Sequence, residues 1–419
     1  MLMMNSDRQS RLFRSSVLLF ANSAMSGVLG LLFWVVVGAN FEASVGGVIA
    51  SILSLSSIVA VLSSLGFTTS LVRFMPESPS ARETFAHIAI SRNLLASLVL
   101  GIISLSLLWA VVAELNEVLS FSVFISCSLI VILLISNGAI LDSIFVGSFR
   151  AGYALARNLL GGLLRLALIF PLLSAGIVGL LVVYSASLLV PMCLSLLVLV
   201  PLAIPGFRLR LWIDAERDMD AFTKYTRASY PADVLASISM VYFPLLVATV
   251  SGLPEAGFFF ICWSIGSLVF VIPSSLTISL FAEASCPGAH LELLRRKVAV
   301  LGAASISLII LIVTIFGQTL LGFFGALVSS DSHITLVIIC LSSVPMLLLK
   351  IDITELRLRS LLRQATTVNA VVMAVSLCGA VALLSIVGIP GVAVGWLLGQ
   401  TAGTGTARFF LMRAGHVSH

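Results

Sequence analysis

The sequence predicts an all-α polytopic membrane protein, with about twelve transmembrane helices in two six-helix lobes, and three observations predict it. Of 419 residues, 59% are hydrophobic and 10% are charged, where a soluble domain has roughly 25% charged; the mean hydropathy is +1.17. The apolar residues run in continuous stretches of about 20, the length of a helix that crosses a bilayer. They do not alternate with the period of two expected of a transmembrane barrel. On this layout all 23 Lys and Arg fall on alternate connections or their flanking turns, the pattern that the positive-inside rule produces. Too little is left between the spans for a soluble catalytic domain. The net charge of +5 is therefore read as membrane orientation, and no nucleic-acid partner is expected.

In chain order the expected spans are 16–37, 45–65, 88–113, 121–145, 158–175, 177–200, 229–250, 256–280, 299–321, 334–349, 367–387 and 392–411. The first follows Arg8, Arg11 and Arg14. It is longer than the apolar core of a signal peptide and lacks a small-residue cleavage site, so it is expected to remain as an uncleaved span. Cations follow the second span (Arg73, Arg82, Arg92), the fourth (Arg150, Arg157, Arg165), the sixth (Arg208, Arg210, Arg217, Lys224, Arg227), the eighth (Arg295, Arg296, Lys297), the tenth (Lys350, Arg357, Arg359, Arg363) and the twelfth (Arg408, Arg413). The opposite connections carry Glu42, Glu114, Glu117, Glu255 and Asp331. Both termini are accordingly expected in the cytoplasm.

The outward loops are short, the longest being 322–333, which argues against a membrane polymerase or ligase that needs an external catalytic loop. The longest cytoplasmic connection reads as an amphipathic linker on the membrane face, with Phe207, Leu209, Leu211, Trp212 and Ile213 beside basic residues. It divides the chain into an N-terminal six-helix lobe (1–206), the linker (207–227) and a C-terminal six-helix lobe (228–419). Cys127, Cys193, Cys262, Cys286, Cys340 and Cys378 stand singly, with no C-x-x-C pair, and read as small hydrophobes rather than a disulfide or zinc framework. The five histidines have no metal-ligand spacing. Asp218-Met-Asp220 reads as a solvated helix face. No phosphate-binding loop of the G-x-x-x-x-G-K-[ST] type occurs, so no nucleotide motor, cofactor or catalytic constellation is expected.

The halves repeat faintly at a nearly constant offset. Glu42-Ala-Ser-Val-Gly46 has a counterpart in Glu255-Ala-Gly257, Phe74-Met-Pro-Glu77 in Phe281-Ala-Glu283, and Gly176-Ile-Val-Gly179 in Gly388-Ile-Pro-Gly391. Six spans per lobe start both halves on the same side, which makes the repeat parallel and puts the expected substrate site between the lobes. Gly161-Gly162 and the glycines from Gly395 to Gly405 are read as close helix packing.

Leu32-Phe33-Trp34-Val35-Val36-Val37 leading to Glu42 and Gly46, the run Ser64-Leu-Gly-Phe-Thr-Thr-Ser-Leu-Val-Arg-Phe-Met-Pro-Glu77, and Glu255-Ala-Gly-Phe-Phe-Phe-Ile261 leading to Ser279-Leu-Phe-Ala-Glu283 resemble bacterial polysaccharide transporters. These are the O-antigen and teichoic-acid flippase-like members of the multidrug/oligosaccharidyl-lipid/polysaccharide exporter superfamily. The resemblance implies the exporter-superfamily flippase fold in a bacterial cell (inner) membrane. It implies translocation of an undecaprenyl-diphosphate-linked sugar or oligosaccharide by alternating access, for cell-surface polysaccharide biosynthesis. It also implies contact with membrane lipid and with glycosyltransferases or a polysaccharide polymerase, and a cavity lined by spans one, two, seven and eight. Rival readings are a multidrug and toxin extrusion antiporter, a non-transporting scaffold for glycan assembly and an integral glycosyltransferase. The antiporters usually carry a coupling Asp in the first span, and 16–37 has none.

Within that frame the substrate-binding candidates are Arg14 and Arg73 at the cytoplasmic mouth, with Asn22 and Tyr242 deeper; the four cavity-lining spans offer no arginine at depth. Asp233, about 9 Å of helix inside Arg227, is the candidate for proton or cation coupling, with a simple interfacial carboxylate as the alternative. Asp142 and Arg165 lie about 12 residues either side of a turn centred between Arg150 and Arg157. They are expected to form an ion pair, with ligand or coupling-ion contact as the alternative. Glu77 and Glu283, at equivalent places in the two halves, are gating candidates.

Overall fold

A backbone in hydrocarbon has no water for its N–H and C=O groups, and a helix is the local structure that satisfies them within one segment. The computed structural model describes residues 2–207, 220–284, 290–359 and 361–416, with side chains except at 2–17, 77, 79, 232, 282, 283, 415 and 416. Among these residues all regular structure is helical. The α-helices are α1 (Leu2–Asn40), α2 (Ala43–Ser63), α3 (Phe67–Glu77), α4 (Arg82–Val111), α5 (Leu115–Val118), α6 (Phe121–Gly147), α7 (Ala151–Leu172), α8 (Gly176–Leu194), α9 (Val200–Ala203), α10 (Asp220–Val241), α11 (Phe243–Val250), α12 (Leu253–Ala284), α13 (Leu291–Gly322), α14 (Ser332–Leu341), α15 (Ser343–Leu358), α16 (Leu362–Val387) and α17 (Ile389–His416).

Each of the twelve expected stretches falls on one of these helices or on a broken pair. Among the described residues nine segments are long and apolar enough to cross a membrane, and the longest, Ala151–Ala203, holds both α7 and α8. The α10–α11 pair, bent by 50° at Tyr242 just ahead of Pro244, is a broken crossing of the kind proline produces. With α17 the set of twelve is complete. Large apolar side chains face outward along the helices, among them Ile103 and Leu107 on α4 and Leu308, Leu311, Ile315 and Phe316 on α13. Such a surface suits lipid and not water. Hydroxyls are satisfied on their own helices, as where Ser56 donates to the Ile52 carbonyl and Thr277 to that of Pro273.

Two compact units divide the chain: Met1–Phe33 with Val48–Val234, and Trp34–Gly47 with Leu235–His419. The division thus falls inside α1 and α10, the opening helix of each half, and in the first turns of α2. In the first unit α10 is anchored by Phe222, buried and stacked on Phe85 at 4.4 Å. Thr226 Oγ1 donates to Ser70 Oγ (2.8 Å) and the Tyr230 hydroxyl to the Leu62 carbonyl (2.8 Å). The linker expected on the membrane face is described only at its ends, and residues 208–219, with Asp218, lie outside the described residues. Phe207 is buried with its ring stacked on His87 at 4.4 Å, and from Asp220 the chain is already helical. Aromatic burial in the first unit outweighs any interfacial placement of Phe207.

The repeat is visible in local geometry. Gly176 and Gly388, the first glycines of the paired G-I-x-G turns, take nearly the same left-handed conformation, φ 62°, ψ −145° and φ 76°, ψ −151°, which L side chains rarely adopt. In the second unit the first turns of α2 and α12, where the paired segments fall, lie against each other. A Cβ on Gly47 would fall 1.7 Å from the Leu253 carbonyl oxygen, and one on Gly257 3.0 Å from that of Ala43.

Candidate functional site

A polar cavity of about 450 Å³ opens within the first unit, lined by residues of α1, α6, α7 and α8. Its ionisable groups are Asp142 on α6 and Arg157 and Arg165 on α7, so it carries one more cation than carboxylate. Asn22, Ser23, Ser26, Asn158 and Ser187 supply amides and hydroxyls.

The helix hairpin sets the pairing. The turn between α6 and α7 is at Ser148–Arg150, where Phe149 has φ +58°. Counting seven residues either way from Phe149 brings Asp142 level with residue 156 rather than 165. Accordingly the Arg157 guanidinium donates from Nη2 to Asp142 Oδ2 (2.8 Å) and to Asn158 Oδ1 (2.8 Å). Asn158 Nδ2 in turn donates to Asn22 Oδ1 (3.0 Å). Gly138, one turn before Asp142, makes room: a Cβ there would fall 2.6 Å from Arg157 Nη1. Asp142 Oδ1 and Arg157 Nε are buried and make no hydrogen bond among the described residues, leaving one acceptor and one donor for water or a cargo.

The expected pair of Asp142 with Arg165 is therefore corrected to Asp142 with Arg157, because the turn is tighter and earlier than the charges suggested. Arg165 lies two turns further along α7 in an aromatic frame. Its guanidinium carbon is 4.1 Å from the Tyr184 ring centroid and 5.8 Å from that of Phe33, while Nε reaches Ser187 Oγ at 3.4 Å. A cation over two ring faces is held by their quadrupoles; among the described residues Arg165 has no carboxylate partner, and it lines the cavity. Gly161 lets α8 approach: a Cβ there would be 3.0 Å from the Ser187 carbonyl oxygen. Pro191, which also lines the cavity, is followed by a π-helical turn at Ser195–Leu199, a distortion common near functional sites.

Of the other sequence-predicted residues, Asn22 joins this network. Arg73 does not line the cavity: it is exposed, its guanidinium 4.2 Å from the Tyr225 ring centroid. Asp233 accepts a hydrogen bond from Thr69 Oγ1 (2.6 Å) in the first unit and lies outside the cavity lining. Tyr242 is half-buried in the second unit beside Phe243 (4.2 Å), and its hydroxyl has no hydrogen-bond partner among the described residues. The side chains of Arg14, Glu77 and Glu283 lie outside the described residues. Sequence reasoning missed Arg157 and Lys350 by assigning them to connections. Arg157 lies two turns inside α7, and Lys350 lies within α15 in the run Leu347-Leu-Leu-Lys-Ile-Asp-Ile353, a lone cation in an apolar stretch that could have flagged it.

No known protein family's sequence profile matches the chain, and no curated protein matches it in sequence. Solved structures do share its fold. The inward-facing conformation of a multidrug resistance MATE family transporter of the MOP superfamily aligns with a TM-score of 0.69 at 15% identity, covering 94% of this chain and 95% of that chain. An outward-facing conformation of such a transporter gives 0.61 at 16% identity, with 97% and 96% covered. A MOP superfamily transporter from Pyrococcus furiosus, for which reverse polarity of the binding pocket suggests a different function, gives 0.61 at 16%, with 98% and 96% covered. The chain thus has the multi-span helical fold of these transporters along nearly its whole length.

Proposed function

We propose that this protein is a membrane transporter of the flippase type, moving an anionic, hydroxyl-rich amphiphile, a lipid-diphosphate-linked sugar or oligosaccharide, for cell-surface polysaccharide assembly. The observation that carries this reading is the composition of the first-unit cavity, in which two arginines face one carboxylate among amides and hydroxyls. Guanidinium groups bind phosphate oxygens through paired hydrogen bonds, and amides and hydroxyls match a sugar. An organic cation would meet a net positive wall there. Asp142 competes with an incoming phosphate for Arg157, so its protonation would release the arginine, and this supports Asp142 as the coupling carboxylate ahead of Asp233. The other proposed partners are membrane lipid and the glycosyltransferases or polymerase that make and use the cargo, in a bacterial inner membrane.

Depletion of the protein tests the reading. Lipid-linked saccharide is expected to accumulate while surface glycan falls, and Arg165→Gln is expected to restore much less surface glycan than wild type at equal abundance. Unchanged pools on depletion would overturn it. A second reading, extrusion of drugs, is favoured by the similarity to a multidrug resistance transporter; altered drug sensitivity with unchanged pools would select it.

A further inference from the structure

The second unit contains a cavity of about 250 Å³ of its own, among α10, α12, α15, α16 and α17. Among the described residues its ionisable lining groups are Lys350 and Arg357, both on α15, with no carboxylate beside them. Seven residues apart, they share one helix face about 10 Å apart in height. Ile353 and Thr354 between them line the same cavity.

The acids of α15 are turned elsewhere. Asp352 and Glu355 point roughly 140–160° away around the helix from Lys350. There Asp352 binds Arg295 (3.0 Å) and Arg408 (3.3 Å), and Glu355 binds Arg295 and Arg359. Three arginines from outside the cavity thus occupy both carboxylates. Among the described residues neither Lys350 nor Arg357 has a carboxylate partner. Lys350 Nζ donates to Ser274 Oγ (2.9 Å), which leaves two of its three donors.

The rest of the lining adds donors. Asn369 and Gln400 contribute amides and Trp396 an indole N–H, while the Ser239 and Thr277 hydroxyls donate to carbonyls of their own helices. Trp396 is 2% exposed and its Nε1 has no hydrogen-bond partner among the described residues. A buried donor without an acceptor is costly, and several donors with two cations around one small space match an oxyanion with several acceptor oxygens. We propose that the α15 cavity of the second unit, with Lys350, Arg357 and Trp396, is a binding site for a phosphate mono- or diester group. It stands apart from the cargo site of the first unit and does not rest on the identity of that cargo.

Full-length protein purified in detergent is the material for the test, with two probes: radiolabelled inorganic phosphate, and phosphatidylglycerol against phosphatidylcholine, followed by native mass spectrometry. Wild type is expected to bind at least one anionic probe, and Lys350→Met and Arg357→Gln to bind it about tenfold more weakly, the effect of one lost charge-assisted hydrogen bond. Lys297→Gln, an exposed α13 cation outside the cavity, serves as the charge control and is expected to bind as wild type. Binding of inorganic phosphate identifies a soluble ligand; retention of phosphatidylglycerol alone identifies a lipid headgroup. Arg357 is solvent-exposed, so Arg357→Gln decides if Lys350→Met does not accumulate. Absence of binding to either probe, or binding that both variants leave unchanged, overturns the site whatever the transport assays give.

Discussion

Arg157 and Arg165, two turns apart on α7, are held by different physics. Arg157 is tied to Asp142 across the α6–α7 hairpin, with side-chain exposures of 12% and 31%; Arg165 rests on Tyr184 and Phe33. Removing one partner of the Asp142–Arg157 pair leaves the other charge partly buried, at a cost of about 2 kcal/mol, between the surface and buried limits. Arg157→Gln and Asp142→Asn are therefore each expected to lower the yield of folded protein. Exchanging the two residues in one chain should restore much of it. The corresponding exchange of Asp142 with Arg165 should not. Fluorescence-detected gel filtration of the four variants checks this, and rescue by the Arg165 exchange would return that residue to the pair.

At the scale of elements, the α16–α17 hairpin depends on a row of glycines every fourth residue: Gly391, Gly395, Gly399 and Gly403. A Cβ at Gly395 would lie 2.3 Å from the Ala380 backbone nitrogen, and one at Gly399 1.8 Å from Ser376 Oγ. The sequence reading of this segment as a packing face agrees with that geometry. Backbone, unlike a flexible side chain, cannot step aside, and small residues are what let helices approach in a membrane. Gly395→Ala is expected to destabilise the protein by about 1–3 kcal/mol, read as a lower thermal midpoint in detergent. Gly405→Ala should leave the midpoint unchanged, because nothing lies within 4 Å of its Cβ position.

For the whole molecule, the alternation of Lys and Arg with Glu42, Glu114, Glu117, Glu255 and Asp331 along the chain sets the orientation we propose, with both termini cytoplasmic. Single cysteines placed at Asn116 and Ser330, in a chain whose own cysteines are replaced by alanine, should react with a membrane-impermeant thiol reagent applied to intact cells. A cysteine at Arg413 should react only after lysis. Labelling of all three from outside would reverse or refute the topology. Arg157 and Lys350 are exceptions to the alternation: the helices run through positions that the charge pattern assigned to connections, and these cations, like Arg165 of the fifth expected span, line cavities.

The helices follow from the sequence because hydrocarbon leaves the backbone no alternative, and their number of twelve needed the alternation of charges as well as length and apolarity. The paired turns at Gly176 and Gly388 were legible for a related reason: only glycine takes their φ at little cost. Which charge meets which was not legible. The partner of Asp142 depends on where the α6–α7 turn closes, and a shift of a few residues in that turn exchanges Arg165 for Arg157. The carboxylate-free face of α15 likewise required knowing that Arg295 on α13 and Arg408 on α17 take up Asp352 and Glu355. Local chemistry fixes the element; the field a buried charge feels is set by neighbours 15 residues away for Asp142 and Arg157 and up to 60 for Arg295 and Glu355, and only tertiary packing brings them together.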